Sequence, residues 1–357
     1  VFRRTNKAPL LGLDISSSSV KLLELSQATS GYRIEAIAIE PLPERAVQDK
    51  DIIDPEAVAA AIRKAVKESG TRAKHACIAI PGSVSISRVI TLPADLSEAE
   101  LDMQVRIEAE QYVPHAMDEV SLDYDILGPT AGNAENIDIL IAASRTEKIE
   151  ARQNAVDMGG LHVEIVDVEP FALENVYQQI FKPKFDKLHA DSGVVMLDIG
   201  ANTTAVNVFH QGAMIYTRDH PFGGRQHTDE IMRRYQLSYA EAGRAKRQGG
   251  LPESYESEVL LPFVDLVAQQ VGRFLQFFYA AHPSIPLTRI LLGGGVAGLA
   301  DLSERIAMST GVEAQIANPF VGMTRSAQVS GAAGSRLLNE DATSMLIACG
   351  LALRSFD

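Results

Sequence analysis

Two stretches of this sequence carry the residue types of an anion-holding β-hairpin. In the first, the apolar run Leu11-Gly12-Leu13 reaches Asp14 and Ile15, four serines (Ser16, Ser17, Ser18, Ser19) make the turn, and Val20 and Lys21 open the return strand. In the second, Val195-Met196-Leu197 reaches Asp198 and Ile199, and Gly200, Ala201, Asn202, Thr203 and Thr204 lead into Ala205 and Val206. Small turn residues let backbone N–H groups approach phosphate oxygens, and an aspartate at a strand end can hold hydrated Mg²⁺ through water. Lys21 falls on the strand beside Asp14, where its charge balances phosphate. A third segment, Ile290-Leu291-Leu292, feeds Gly293, Gly294 and Gly295, then Val296, and a helix is expected from Gly298 to Ser309. Glycines admit a flat ring or a phosphate against the backbone, and a helix N-terminus there favours negative charge. Each segment alone also suits an ordinary turn, and none has the Gly-x-Gly-x-x-Gly or Gly-Lys-Ser pattern of other nucleotide loops. Two facing hairpins together would grip a nucleoside triphosphate between two halves of one molecule.

The elements needed to position those turns are legible from periodicity and punctuation. Strands are expected at 10–15, 20–25, 32–39 and 75–80. A helix is expected over 55–69, with Asp54 as N-cap, Pro55 at its first position and Gly70 ending it. Between 84 and 166 the pattern changes: strand 84–92, a helix to about Tyr112 opened by a Ser97/Glu100 capping box, strands 120–127 and 137–143, and a helix 146–158. This reads as an inserted module. Strand 161–168 and helix 170–180 resume the main body, with Phe181 to Lys187 as a crossover. The second half continues with strand 213–218, a helical stretch over about 225–281, strand 289–292, and a last helix capped by Asp341.

Bulk properties bound the class. A chain of 357 residues suits two domains, and 46% hydrophobic with 22% charged residues is the balance of a water-soluble globular protein. A net charge of −13 disfavours non-specific binding to nucleic acid or anionic lipid. Cys77 and Cys349 both lie in apolar runs and read as reduced packing residues, and the scattered histidines offer no metal cluster. No apolar run reaches the ~20 residues of a membrane span, and the basic opening Val1 to Lys7 lacks the apolar core of a secretion signal. A cytoplasmic protein is expected, and a start at Val1 is consistent with a missing initiator methionine.

In order and spacing, the two hairpins, the glycine triplet and a glycine-containing last helix resemble the superfamily of actin, the heat-shock chaperone ATPases and sugar kinases. The whole chain resembles its FtsA branch and, within that, the PilM family of type IV pilus assembly proteins. The phrases carrying this are 13–21, Val168-Glu169-Pro170-Phe171-Ala172-Leu173-Glu174-Asn175, Pro221-Phe222-Gly223-Gly224, 240–250 and Leu275-Gln276-Phe277-Phe278-Tyr279. The resemblance implies an α/β, two-lobed actin-like ATPase fold with ribonuclease H-like halves. Its first lobe would take 8–83, 167–193 and 338–357, an FtsA-type subdomain 84–166, and a second lobe 194–337 with a helical subdomain at about 225–285.

The same resemblance implies ATP and Mg²⁺ as ligands. Asp14 and Asp198 would organise the metal through water, Ser16 to Ser19 and Lys21 would meet phosphates, and so would Gly200, Asn202, Thr203 and Thr204. Gly294, Gly295 and Val296 match the adenosine motif, Lys246 a lysine beside adenine and ribose, and Glu169 a residue positioning attacking water. Two positions depart from the family pattern: Ser16 stands where a glycine is usual, and Gly243 stands where an acidic residue is usual, with Glu241 the candidate replacement. Expected partners are the cytoplasmic tail of a PilN-like inner-membrane protein, docked between the inserted module and the first lobe, other pilus assembly proteins, and further copies of the chain. Membrane association would be indirect and activity at most a slow ATPase. The alternative is a small-molecule kinase or phosphatase of the same superfamily; no acceptor-facing catalytic aspartate speaks for it. Chaperone and cell-division FtsA readings would need, respectively, a substrate-binding domain and an amphipathic helix beyond Arg354-Ser355-Phe356-Asp357.

Overall fold

The computed structural model describes residues 9–185 and 191–356. The basic opening residues Val1 to Lys7 and the end of the expected crossover, Asp186 and Lys187, lie outside them. The doubled device of the sequence is a doubled topology. In the first sheet, Tyr32–Pro41, Ser19–Gln27 and Leu10–Ile15 form an antiparallel meander, to which His75–Ile80 and then His162–Val168 add in parallel. In the second, Ala213–His220, Thr204–His210 and Gly193–Ile199 repeat the meander, and Leu287–Gly293 and Glu313–Ile316 repeat the parallel additions. Parallel neighbours need crossovers, and helices supply them, burying both sheet faces. The arrangement is the actin-like ATPase fold.

Local signals explain the element ends. Asp54 accepts from the Ala57 amide at 2.9 Å, Pro55 opens helix Pro55–Ser69, and Gly70 closes it at φ 66°. Ser97 and Glu100 form a reciprocal capping box on helix Glu98–Glu110. That helix packs Leu101, Val105 and Ala109 on Ile90, Leu92, Ile139 and Ile141 of a separate sheet made of Ser85–Pro93, Asn133–Arg145 and Val120–Thr130. Helix Thr146–Met158, expected inside this module, instead puts Ala155 and Val156 into the first-lobe core beside Val58 and Ile62.

Three further features depart from expectation. Thr324–Arg325 pairs with the strand from Tyr32, joining the first sheet although the sequence reading puts it in the second lobe. The helix after the glycine triplet begins at Leu302, not Gly298, because turns fill the interval and Asp301 adopts φ 60°. Asp341 makes no side-chain cap; a 3₁₀ turn over Ala342–Met345 precedes helix Leu346–Leu353.

Every residue of that last helix is buried, within a core that draws on both sheets. Two glycines allow the approach. A Cβ on Gly12 would meet the Ala348 carbonyl oxygen at 2.0 Å, and one on Gly350 would meet that of Ala172 at 1.9 Å.

Candidate functional site

In the first hairpin Asp14 and Lys21 are cross-strand partners, which brings Lys21 Nζ to 2.6 Å from Asp14 Oδ2. Asp14 is 4% exposed. Burial disfavours the charged lysine, yet the charge and hydrogen bond of Asp14, helped by Asp198 and Glu169, raise its pKa. Ser16 and Ser19 close the turn on themselves: the Ser16 amide and hydroxyl both donate to the Ser19 carbonyl, at 3.0 and 2.9 Å. The hydroxyls of Ser17 and Ser18 make no hydrogen bond among the described residues.

The second hairpin and the glycine triplet are stitched together. Asp198 is in register with Gly293 on the neighbouring parallel strand. Gly294, at φ 85°, lies so close to Ile199 that a Cβ would stand 2.3 Å from its carbonyl oxygen, and the Val296 amide donates to that same oxygen. Gly294 also exchanges hydrogen bonds with Thr343. Gly223 and Gly224 pack on the turn itself, with the Gly224 amide donating to Gly200 and that of Arg225 to Ala201. A Cβ at Gly224 would meet Val296 at 2.8 Å and Lys246 Nζ at 4.0 Å, so Lys246 borders this constellation. Its Nζ donates to Thr228 Oγ1 at 3.2 Å. Asn202 is exposed, Gly200 and Thr203 are partly covered, and Gly295 faces open space. Thr204 stands apart: it is fully buried and its hydroxyl donates to the Phe222 carbonyl at 2.8 Å. Glu241 caps its own helix, accepting from the amide and hydroxyl of Ser238.

Charge ties the halves together. Burial, against the attraction of Lys21 and with the repulsion of Asp14 and Glu169, pushes the Asp198 carboxyl up to about 7. Burial likewise raises Glu169, the first residue of helix Glu169–Val176, with Lys50 opposing and Asp14 and Asp219 adding. Burial, with the charge of Arg247, lowers Lys246 to about 8, although the residue as a whole is exposed and its ammonium is therefore only partly dehydrated.

Sequence reading missed the residue that crosses the cleft. Lys50 stands 2.7 Å from Asp219 of the second lobe and 3.4 Å from Glu169 of the first. Nearby, Arg225 reaches Glu44 across the same gap at 2.6 Å. No local motif marks Lys50; only its place between Gln48, Asp49 and Asp51 in a charged turn could have drawn notice. A cluster of three or more His, Cys, Asp or Glu able to hold a metal directly is absent among the described residues. The donor set instead suits a hydrated cation: Asp198 has no ion pair among the described residues and shares the cleft with Asp14 and Glu169.

A groove of about 300 Å³ lies in the inserted module itself, lined by residues of 83–86, 113–115, 120 and 143–148, at the module's edge toward the first lobe. Val84, Ile86, Val113 and Val120 make its apolar wall, and Arg145 and Lys148 also line it, paired with Glu147 and Asp51 respectively. No helix among the described residues is long and apolar enough to cross a membrane.

Comparison with known proteins agrees with this architecture. A family profile described as type IV pilus assembly protein PilM matches residues 12–356. A solved PilM-PilN type IV pilus biogenesis complex contains a chain 27% identical, covering 98% of this chain and 99% of its own, with a TM-score of 0.79. The ethanolamine utilization protein EutJ of Carboxydothermus hydrogenoformans shares the fold at 16% identity, covering 99% of this chain and 92% of its own, with a TM-score of 0.56. Among curated sequences, cell division protein FtsA of Pseudomonas aeruginosa is 27% identical over 251 residues, 62% of this chain and 56% of its own length. FtsA of Bacillus subtilis is 22% identical over 280 residues, 71% of this chain and 61% of its own. The chain therefore spans a little over half the length of these curated relatives.

Proposed function

This chain belongs to the type IV pilus assembly protein PilM family, and from that premise we propose that it is an actin-like scaffold of the pilus machine's inner-membrane complex. It binds Mg-ATP between its lobes and docks the short cytoplasmic tail of a PilN-like membrane protein, working at the cytoplasmic face of the membrane through that partner. The observation that carries the reading is the groove in the inserted module, tied to the first lobe where its Lys148 pairs with Asp51. Its apolar wall suits a short extended segment with apolar anchors, and a relative of nearly full-length similarity is found in a PilM-PilN complex.

In the cleft, Asp14 and Asp198 would hold Mg²⁺ through its water, and the metal when bound would offset phosphate charge. Lys21, the serine turn and the Gly200 turn would contact phosphates, while Gly294, Gly295, Val296 and Lys246 would border the nucleoside. Lys50 occupies one oxygen of Glu169, which favours binding over fast turnover.

The test is a binding titration of the tail peptide of the PilN-like protein against wild type and Ile86→Glu. The peptide should lose binding to Ile86→Glu while the circular dichroism spectrum is unchanged. Undiminished affinity in that variant would overturn the groove assignment. Binding of fluorescent ATP, lost in Asp198→Ala, tests the cleft separately.

A further inference from the structure

The cleft and the groove are joined by one small element. Val47–Gln48 and Asp51–Ile52 pair as a two-residue hairpin whose turn is Asp49-Lys50. Both turn residues have positive φ, 47° and 69°. Turns of this kind favour Asn-Gly, since glycine tolerates the second position without strain. A lysine held in that conformation points to a role for its side chain.

The side chains diverge. Lys50 reaches into the cleft, shared between Glu169 of the first lobe and Asp219 of the second. Its neighbour Asp51 faces the other way and takes Lys148 Nζ on both carboxylate oxygens, at 2.8 and 2.7 Å, and Lys148 lines the groove. Arg152, 3% exposed, braces the turn by donating to the Lys50 carbonyl at 3.0 Å and to Ala79 at 3.1 Å. Lys50 and Asp51 therefore move as a unit, pinned at one point to the first sheet.

We infer that the 47–52 hairpin couples the cleft to the groove: the shared Lys50 senses lobe closure and phosphate charge, and Asp51 passes the displacement to Lys148 in the groove wall. This rests on the proposed nucleotide and tail sites and adds the route between them. The two states are a closed cleft, with Lys50 held by carboxylates of both lobes, and an opened or loaded one, with Asp219 released. A ligand that favours one of them must then favour one position of Lys148, which is what coupling between distant sites requires.

The test uses a fluorophore on the groove rim. His115 is exposed and lines the groove, while native Cys77 and Cys349 are fully buried, so His115→Cys directs an environment-sensitive label. In the labelled chain a non-hydrolysable ATP analogue with Mg²⁺ should shift the emission. Adding Asp51→Asn should abolish that shift while leaving the affinity for fluorescent nucleotide unchanged, and Asp51→Glu should restore it. A shift that persists in Asp51→Asn, or is absent from the labelled wild type despite nucleotide binding, overturns the inference. Failure of any nucleotide to bind would instead remove the cleft reading beneath it, and the coupling with it.

Discussion

The two hairpins look alike in sequence and differ in electrostatic state. Asp14 is neutralised in place by Lys21 at 2.6 Å, whereas Asp198, on the equivalent strand of the other lobe, has no cationic partner at contact distance among the described residues. The first hairpin is complete without ligand. The second holds a carboxyl that burial above all, with Asp14 and Glu169 adding, pushes toward its protonated form. A repeated topology thus carries an asymmetric charge plan, one lobe self-sufficient and the other suited to an added cation.

Breaking the self-sufficient side should have the largest effect. Asp14→Asn leaves Lys21 buried without its partner and should lower stability by about 3–5 kcal/mol in a denaturant titration. If the loss is near zero, the pair is not the structural element described. Gly294→Ala tests the seam behind the second hairpin. Its Cβ would press on Ile199 from a positive-φ position, and a cost of about 2 kcal/mol is expected, measured the same way.

Asp198→Asn should act in the opposite direction on the nucleotide-free protein. The folded carboxyl titrates near 7 and the unfolded one near 3.8, so the native state holds the extra proton between those values. Stability contributed by that proton is present at low pH and is lost as pH rises toward 7. Melting temperature of wild type should therefore fall from pH 5 to pH 8 through this group, and Asp198→Asn should flatten the fall and melt higher at pH 8. An unchanged pH profile would remove the asymmetry. The smallest effect belongs to Arg225→Ala, which deletes a partly exposed bridge to Glu44 and should cost at most about 1 kcal/mol, diminishing with added salt.

Much of the asymmetric cleft was legible in the sequence because each part is local. Asp14 and Lys21 face each other as a consequence of a four-serine turn, and Asp198 beside Gly293 follows from two apolar strands that each end in small residues. Asp54 and Ser97 announced helix starts through side chains that act within one turn. Asp341 has the same residue type but no such role, because the chain takes a tighter turn before helix Leu346–Leu353. What stayed hidden depends on distant packing. Asp219 is one polar residue of a sheet-edge strand, Lys50 occupies a two-residue turn without glycine, and the pairing of Thr324–Arg325 is only two residues long. The groove draws on 83–86, 113–115, 120 and 143–148, segments far apart in the chain that meet only when the three strands of the inserted module pair.

Helix Leu346–Leu353 carries a consequence for biosynthesis. It fills the space against Gly12 and Ala172, and Ser355 exchanges hydrogen bonds with the backbone of Leu10. While the ribosome is still making this segment, the Gly12 face of strand Leu10–Ile15 lacks its cover, although Leu11, Leu13 and Ile15 on the other face already have theirs. The module over 85–145 and the sheet from Gly193 can consolidate earlier, each on its own buried cluster. A nascent chain halted before Leu346 should therefore present an unsealed lobe to chaperones and proteases.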